Sequence, residues 1–218
     1  MIHGAAHAAS NRFITFEGID GSGKSTQLRL LANHLIERKL PVVTTREPGG
    51  TPLGNQLRHV LLDVHGEVDP LAELLLYAAD RAQHVRSLIR PQLQAGQIIL
   101  SDRYADATVA YQGAGRGLSS KLISQVIEFA TEGLQPGLTL LFDLAVTDAR
   151  ARTTQRMRSE PEPDRLDRES EEFQTRVRDE YLKIAALEPQ RVRIIDAIWS
   201  PQETHARVLD IVIPFLGL

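Results

Sequence analysis

Apolar residues along the chain follow two alternating patterns: short runs of β-favouring residues, and longer segments in which apolar positions recur with helical spacing. The short runs predict strands at 13–16, 41–45, 98–100, 139–142 and 192–195. The longer segments predict helices at 25–39, 70–95, 119–131, 147–158, 168–186 and 202–215. Strands that alternate with helices are typical of a parallel sheet covered on both faces. The pattern therefore predicts a three-layer α/β fold with a five-stranded parallel sheet.

The composition limits the function classes. The 218 residues suit one domain, predicted at 12–218, and residues 1–11 are expected to form a disordered tail or an expression-tag remnant. The formal net charge is −3, whereas a protein that coats nucleic acid is normally basic. The lack of cysteine excludes disulfides and thiolate metal sites. Without an apolar run of about 18 residues or a signal-peptide pattern, we expect a cytoplasmic protein with no membrane partner.

The segment between the first predicted strand and helix matches the phosphate-binding P-loop pattern G-x-x-x-x-G-K-[ST]. It reads Gly18-Ile19-Asp20-Gly21-Ser22-Gly23-Lys24-Ser25, followed by Thr26. Glycines in such a loop let backbone N–H groups point at phosphate oxygens, the lysine reaches the β and γ phosphates, and the Ser25 hydroxyl can bind Mg²⁺. The sequence therefore predicts a P-loop NTPase fold that binds a nucleoside triphosphate through these residues.

Asp20 is unusual in this loop because a carboxylate close to phosphates is unfavourable unless it points away from them. We expect its side chain to accept a hydrogen bond from a sugar hydroxyl of a second ligand. The alternative is that Asp20 faces solvent or caps the turn.

Further cations stand where the predicted strands end, at the edge where parallel sheets bind ligands. Arg46 follows the second strand and Arg103 the third, and Arg81 shares a helix face with Tyr77, four residues earlier. Arginine fits phosphate oxygens and an aromatic ring can stack on a base. With the P-loop, these residues predict a second anionic ligand. Asp102 fits the acidic residue that holds Mg²⁺, the alternative being a structural pair with Arg103.

Segment 150–168 is rich in arginine and is predicted to be a mobile loop between two helices. Phosphoryl transfer is catalysed by positioning and by cations in a site closed to water. Such a loop can supply both a lid and positive charge, from Arg152, Arg156, Arg158 and Arg165. The alternative is a solvated face whose bases are balanced by neighbouring acids.

Five segments make the chain resemble the thymidylate kinase (dTMP kinase) family of P-loop nucleoside monophosphate kinases. They are 16–26, 45–51, 77–84, 102–104 and 110–113. The second, Thr-Arg-Glu-Pro-Gly-Gly-Thr, is the most specific. The resemblance covers almost the whole chain after Asn11. It implies direct in-line transfer of a phosphoryl group from Mg²⁺-bound ATP to dTMP, giving ADP and dTDP for dTTP synthesis, by a homodimer whose interface involves the long helix or its neighbours.

The resemblance also implies roles for individual residues in acceptor binding. Arg46 and Arg103 would hold the acceptor phosphate, and Tyr77, where relatives often have Phe, would stack on thymine. Tyr111 would favour deoxyribose and Asp20 would contact the acceptor sugar. The base edge would be bound by Arg81, Thr108 and Gln112.

On the donor side, the resemblance places adenine near Arg152 and the turn at 196–197. The family divides according to the position of its catalytic arginine. One branch has arginine in the P-loop, where this chain has Gly21, so the chain resembles the bacterial-like branch with arginine in the lid. The predicted catalytic residues are Lys24, Asp102, Arg103, Arg156, Arg158 and Arg165, and the predicted metal ligands are Ser25 and Asp102.

Two other functions stay open at this stage. A different nucleoside monophosphate or deoxynucleoside kinase would share every catalytic part and differ only in its base pocket. A P-loop GTPase-type regulatory switch would read guanine through an Asn-Lys-x-Asp segment, which the sequence does not contain.

Overall fold

Five parallel strands form one sheet in the order β2-β3-β1-β4-β5. The computed structural model describes residues 11–63, 66–157, 165–166 and 168–218, without the side chains of Arg156 and Met157. The strands are β1 Phe13–Glu17, β2 Val42–Arg46, β3 Ile98–Asp102, β4 Leu138–Asp143 and β5 Val192–Asp196. All five predicted strands and the parallel α/β fold are confirmed. Most of the predicted residues 1–11 of the tail lie outside the described residues.

The helices are α1 Lys24–Glu37, α2 Pro52–Leu62, α3 Pro70–His84, α4 Arg90–Gln94, α5 Ala105–Thr108, α6 Ser120–Thr131, α7 Val146–Met157, α8 Glu171–Leu187 and α9 Pro201–Leu216. Two π-helical segments, Val85–Ile89 and Val109–Gly115, join α3 to α4 and extend α5. The long helix predicted at 70–95 is therefore helical throughout, with its irregularity immediately before Pro91. The first part of the predicted lid belongs to α7, and residues 158–164 and 167 lie outside the described residues.

Two helical segments were not predicted. The Thr51 side chain accepts a hydrogen bond from the Gly54 N–H, and Pro52 occupies the first turn, so α2 begins at a regular N-cap. The segment 105–115 has helical spacing only in alanines and one tyrosine, at 107, 110, 111 and 114, and it packs against α8. Its helical structure depends on tertiary contacts, which a periodicity argument does not detect.

The sheet is covered on both faces, as the predicted three layers require. All five residues of β1 are buried although successive side chains point to opposite faces. Phe13 belongs to an apolar cluster with Ile89 and Tyr104, whereas Ile14 belongs to a second cluster with Leu31. None of the helices in the described part of the chain is long and apolar enough to cross a membrane.

Register brings together the carboxyl ends of three neighbouring strands, the edge strand β2 and the adjacent β3 and β1. Phe16 and Arg46 both pair with Asp102, so β1, β2 and β3 end side by side. The P-loop leaves β1 at this edge, and Arg103 follows β3 there. The chemistry predicted from the sequence therefore gathers at one edge of the sheet.

Candidate active site

The P-loop connects β1 to α1 and places a cation against its own backbone. Gly23 is the N-cap of α1 with φ 90°, a conformation that favours glycine. Lys24 is buried, its Nζ donates to the Ile19 carbonyl at 3.0 Å, and it lies 3.6 Å from an Asp20 carboxylate oxygen. Burial, followed by the charge of Arg103, lowers the pKa of Lys24. The loop is thus an anion-binding site, and a bound phosphate would give Lys24 a strong anionic partner.

Ser25 and Asp102 form a pair of oxygen ligands beside this loop. The Ser25 hydroxyl donates to Asp102 Oδ2, and register places Asp102 next to Phe16 on the neighbouring strand. Within the described ranges, no three His, Asp or Glu side chains converge to hold a metal. A hydroxyl and one carboxylate nevertheless fit Mg²⁺, which is bound by few protein oxygens together with substrate phosphates.

A second cavity opens beside the P-loop. Of the eight predicted acceptor residues, those that line it are Asp20, Tyr77, Arg81, Arg103, Thr108, Tyr111 and Gln112. The eighth, Arg46, is exposed and is not among the lining residues; its side chain lies against Gly49, where an added Cβ would be 3.2 Å from Arg46 Nε. The structure therefore brings together nearly all of the predicted acceptor site.

Arg81 is fixed in the cavity wall by buried hydrogen bonds. Its guanidinium donates to Glu47, to the Thr108 hydroxyl and to the Tyr104 carbonyl, each at 2.8 Å. The other oxygen of Glu47 lies 2.9 Å from His84 Nδ1. Burial alone would raise the pKa of Glu47, but Arg81 and His84 outweigh it and lower the pKa. The buried charges of this wall are thus paired before any ligand binds.

Asp20 faces the acceptor side of the P-loop. Its carboxylate accepts from Arg103 Nη2 at 2.6 Å and from the Tyr111 hydroxyl at 3.4 Å. The Arg103 guanidinium also lies 4.7 Å from the centre of the Tyr111 ring. The described ion pair of Arg103 is with Asp20, whereas Asp102 bonds Ser25. The described residues thus show no ion pair between Asp102 and Arg103, and the contacts do not support the interpretation of the two as a structural pair.

Arg103 adopts a backbone conformation that is unusual for a non-glycine residue, with φ 73°. Its N–H donates to the Phe16 carbonyl at 3.0 Å, and the next N–H, of Tyr104, donates to Glu17 at 2.7 Å. Burial, followed by the charge of Asp106, raises the pKa of Glu17 to about 8. These contacts hold the strained turn that aims the arginine at the cavity.

The donor side is a wider cleft between the P-loop, α7 and the start of α9. Arg152 lines it together with Ala197, Ile198 and Trp199, and Arg152 Nη2 donates to the Ile198 carbonyl at 3.4 Å. The structure thus brings Arg152 and the turn after β5 together, as expected from the sequence. Trp199, the single tryptophan of the chain, was not predicted there, although its position three residues after the end of β5 was a usable signal.

Two of the predicted lid arginines have described side chains, and they lie in different places: Arg152 lines the donor cleft, whereas Arg165 does not. Arg165 donates to the Leu61 carbonyl at 3.0 Å and lies 2.6 Å from Glu73, and it lines neither the P-loop cleft nor the acceptor cavity. Arg158 and the side chain of Arg156 lie outside the described residues. At Gly21, an added Cβ would stand 2.3 Å from the Ala149 carbonyl oxygen. This loop position has no space for an arginine while α7 stays in place.

Sequence reasoning missed several residues of the acceptor cavity. Glu47, Arg58, Leu62 and Leu166 line it. Arg58 also donates to the Pro48 carbonyl at 3.2 Å. Arg58 and Leu62 belong to α2, whose apolar pattern was not assigned, and Leu166 belongs to the predicted lid. Glu47 lies inside the Thr-Arg-Glu-Pro-Gly-Gly segment, which was a usable signal for its involvement.

A P-loop cleft and a separate polar cavity that meet at Asp20 define the class of protein as a P-loop nucleotide kinase, with one pocket for the donor and one for the acceptor. A sequence model of the family described as thymidylate kinase matches residues 16–208. The chain belongs to the thymidylate kinase family, and the resemblance inferred from its motifs is confirmed.

Individual relatives agree with this membership. A thymidylate kinase from Geotalea uraniireducens is 47% identical over 208 residues, which cover 94% of this chain and 98% of that protein. One from Leifsonia xyli subsp. xyli is 49% identical over 196 residues, covering 90% and 91%. The crystal structure of thymidylate kinase from Ehrlichia chaffeensis superposes with a TM-score of 0.75 at 35% identity, covering 92% of this chain and 97% of that one.

Proposed function

We propose that this chain transfers the γ-phosphoryl group of ATP to the phosphate of dTMP, producing ADP and dTDP. The observation that carries the proposal is the juxtaposition of two pockets. The P-loop cleft and the acceptor cavity share Asp20 as a lining residue. Ligands bound in the two pockets would meet at this residue, which suits transfer between two phosphates better than hydrolysis.

On the donor side, residues 18–26 bind the triphosphate through backbone N–H groups, and Lys24 bridges to the transferred group. Adenine lies between Arg152 and the turn that contains Ala197. Ser25 and Asp102 hold Mg²⁺, directly or through water. When bound, Mg²⁺ neutralises phosphate charge and thereby assists transfer.

On the acceptor side, Tyr77 stacks on thymine, and the base edge is bound by Arg81, Thr108 and Gln112. Arg103 binds the acceptor phosphate. Arg46, which stands exposed at the end of β2, joins it there when the acceptor is present. The buried partners of Arg81, Glu47 and Thr108, support its role, because a guanidinium that is already oriented loses little freedom on binding.

The Tyr111 ring crowds the 2′ position of the acceptor sugar, and the Asp20 carboxylate receives a hydrogen bond from its 3′-hydroxyl. The Arg103 contact with both residues supports this arrangement, because it holds the ring and the carboxylate at the same end of the cavity.

Transfer proceeds in line and without a phosphoenzyme, because the acceptor phosphate is already anionic and needs no general base. Positive charge from Lys24 and Arg103, together with arginines of the lid, stabilises the transferred group. For the lid contribution, Arg156 and Arg158 remain the proposed residues.

The enzyme is proposed to act as a homodimer in the cytoplasm. Exposed apolar side chains on three adjacent helices support dimer formation: Leu53 and Val60 on α2, Leu71 and Leu75 on α3, and Phe129 on α6. Such a set of exposed apolar residues is typical of an interface. The mass of the protein in solution, measured by light scattering, tests this part of the proposal directly.

The experiment that tests the function is an analysis of products. The protein is incubated with Mg-ATP, with and without dTMP, and nucleotides are quantified by ion-exchange chromatography. We expect ADP and dTDP in equal amounts, and little ADP when dTMP is omitted. ADP formed equally without an acceptor would contradict the proposal and favour a hydrolysing switch.

A further inference from the structure

A buried carboxylate behind the acceptor cavity has no part in the function proposed so far. Glu73 lies in the first turn of α3 and is completely buried. It accepts from Gln112 Nε2 at 2.7 Å and from Arg116 at 3.1 and 3.2 Å, and lies 2.6 Å from Arg165. Three segments of the chain meet at this carboxylate, namely α3, 112–116 and 165–166, and Arg116 also pairs with Glu169 at 2.6 Å.

We propose that Glu73 is a positioning residue that fixes the orientation of the Gln112 amide toward the acceptor base and anchors the lid through Arg165. The inference rests on the proposed function, because it concerns recognition of the acceptor base.

The proposed orientation of Gln112 follows from the chemistry of an amide. Gln112 lines the acceptor cavity and is buried. Its Nε2 is engaged by Glu73, and a flipped amide would turn Oε1 toward a carboxylate that can only accept. Because burial is outweighed by hydrogen bonds from Arg116, Gln112 and Arg165, the pKa of Glu73 is lowered and the carboxylate stays charged. Gln112 Oε1 is therefore left to receive a hydrogen bond from the ligand.

An acceptor at this place selects between pyrimidines. Thymine and uracil carry hydrogen on N3, whereas N3 of cytosine is itself an acceptor. A fixed Gln112 Oε1 can accept a hydrogen bond from N3 of thymine or uracil. With cytosine it would face N3, a second acceptor, and neither atom would be paired. Glu73 thereby contributes to base selection although Gln112 and other residues separate it from the ligand.

The proposed anchoring role of Arg165 follows from the contacts of residues 165 and 166. Arg165 contacts the C-terminal end of α2 through the Leu61 carbonyl, and its N–H donates to the Leu62 carbonyl at 3.2 Å. The next residue, Leu166, lines the acceptor cavity. The ion pair with Glu73 therefore holds this wall in place, which makes Arg165 an anchor of the lid rather than a cation for the transferred group.

The first test compares kcat/KM for dTMP and dCMP in the wild type and in Glu73→Gln. A glutamine can donate or accept, so it no longer fixes the Gln112 amide. We expect the preference for dTMP over dCMP to fall roughly 10-fold. Glu132→Gln is the matched control, because Glu132 pairs with Arg86 on the surface at 2.8 Å, and it should leave the preference unchanged.

If Glu73→Gln does not fold, Glu73→Asp replaces it, since the shorter carboxylate keeps the charge and withdraws from Gln112. The same fall in preference is expected. An unchanged preference in a folded variant overturns the orienting role. Failure of the wild type to phosphorylate dTMP is a different result, and it overturns both this inference and the function on which it rests.

The second test is Arg165→Met. Loss of the anchor should lower kcat by less than about 10-fold, raise ATP hydrolysis in the absence of dTMP, and leave the dTMP-to-dCMP preference intact. A loss of about 1,000-fold in kcat with an unchanged KM for dTMP would identify Arg165 as a cation of the transition state and overturn the anchoring role.

Discussion

The donor cleft and the acceptor cavity are neighbours, but they are constructed in different ways. The phosphate cradle of the donor comes from one continuous stretch, residues 18–26, whose shape depends on backbone conformation. The acceptor cavity combines side chains from several distant segments, and its charged members hold one another through ion pairs, one buried and one partly buried. Substitutions in the two pockets should therefore have different effects on activity and stability. Damage to the cradle should impair donor binding and catalysis with little loss of stability, whereas damage to the cavity should impair both acceptor binding and folding.

The largest effect is expected in the cradle, from Lys24→Met. Removal of the cation that bridges the phosphates should lower kcat about 1,000-fold or more. The thermal midpoint should stay equal or rise, since burial lowers the pKa of this lysine in the free protein. Steady-state kinetics and calorimetry check the two halves of the prediction. A folded variant with nearly normal kcat would contradict the role of the cradle.

In the cavity, Arg81→Met should combine both kinds of damage. It leaves Glu47 buried with its hydrogen bond to Arg81 lost, so KM for dTMP should rise about 100-fold and the free energy of unfolding should fall by about 3–5 kcal/mol. The control is Arg86→Met, a half-exposed member of a surface pair, expected to cost less than about 1 kcal/mol. Loss of binding without loss of stability would remove the distinction between the two regions.

Two glycine substitutions sharpen the argument about backbone conformation in the cradle. Both Gly21 and Gly23 have positive φ. A Cβ added at Gly21 would lie 2.3 Å from the Ala149 carbonyl oxygen, whereas a Cβ added at Gly23 would have no neighbour within 4 Å. Gly21→Ala should therefore raise KM for ATP at least about 10-fold, more than Gly23→Ala, whose cost is about 1 kcal/mol of backbone strain. Titration of Trp199 fluorescence with ATP compares the two variants. Equal affinities would mean that α7 moves away freely.

The smallest effect concerns Glu17, behind the cavity. Its pKa is about 8 in the folded chain against an ordinary value of 4.5, so between these values the folded state binds more protons than the unfolded state. Stability from this group is present at low pH and is lost as the pH rises. Glu17→Gln should thus gain stability relative to the wild type between pH 5 and 8, by at least about 1 kcal/mol at pH 8. Urea unfolding at several pH values measures the difference, and a difference independent of pH would contradict it.

The same contrast explains how far the sequence could be used for prediction. The P-loop was predicted because its function is local: a contiguous glycine pattern between a strand and a helix is sufficient. Tyr77 and Arg81 were predicted to share a helix face because helical spacing is also local. The parallel sheet followed from the alternation of strands and helices, and all of its strands were found close to their predicted bounds.

What escaped prediction depends on contacts between distant segments. The helical structure of 105–115 and the partners of Glu73 arise only when α3, α8 and the lid come together. Arg58 is an exception, because it belongs to α2, whose apolar residues Leu53, Leu57, Val60 and Leu61 recur with helical spacing. A local signal was present there but was not used. Arg165 was grouped with the other lid arginines by composition, and its contacts with Leu61 and Glu73 are seen only in the structure.

The most direct test of the central claim, that the buried side chains of the acceptor cavity define a site for dTMP, is the selectivity of the wild-type enzyme. ADP release in the presence of Mg-ATP is measured with dTMP, dUMP, UMP, dCMP, AMP and GMP as acceptors. The arrangement of Tyr77, Arg81, Tyr111 and Gln112 predicts the highest kcat/KM with dTMP, a lower value with dUMP, and little turnover with the others. A higher kcat/KM with any other monophosphate would contradict it.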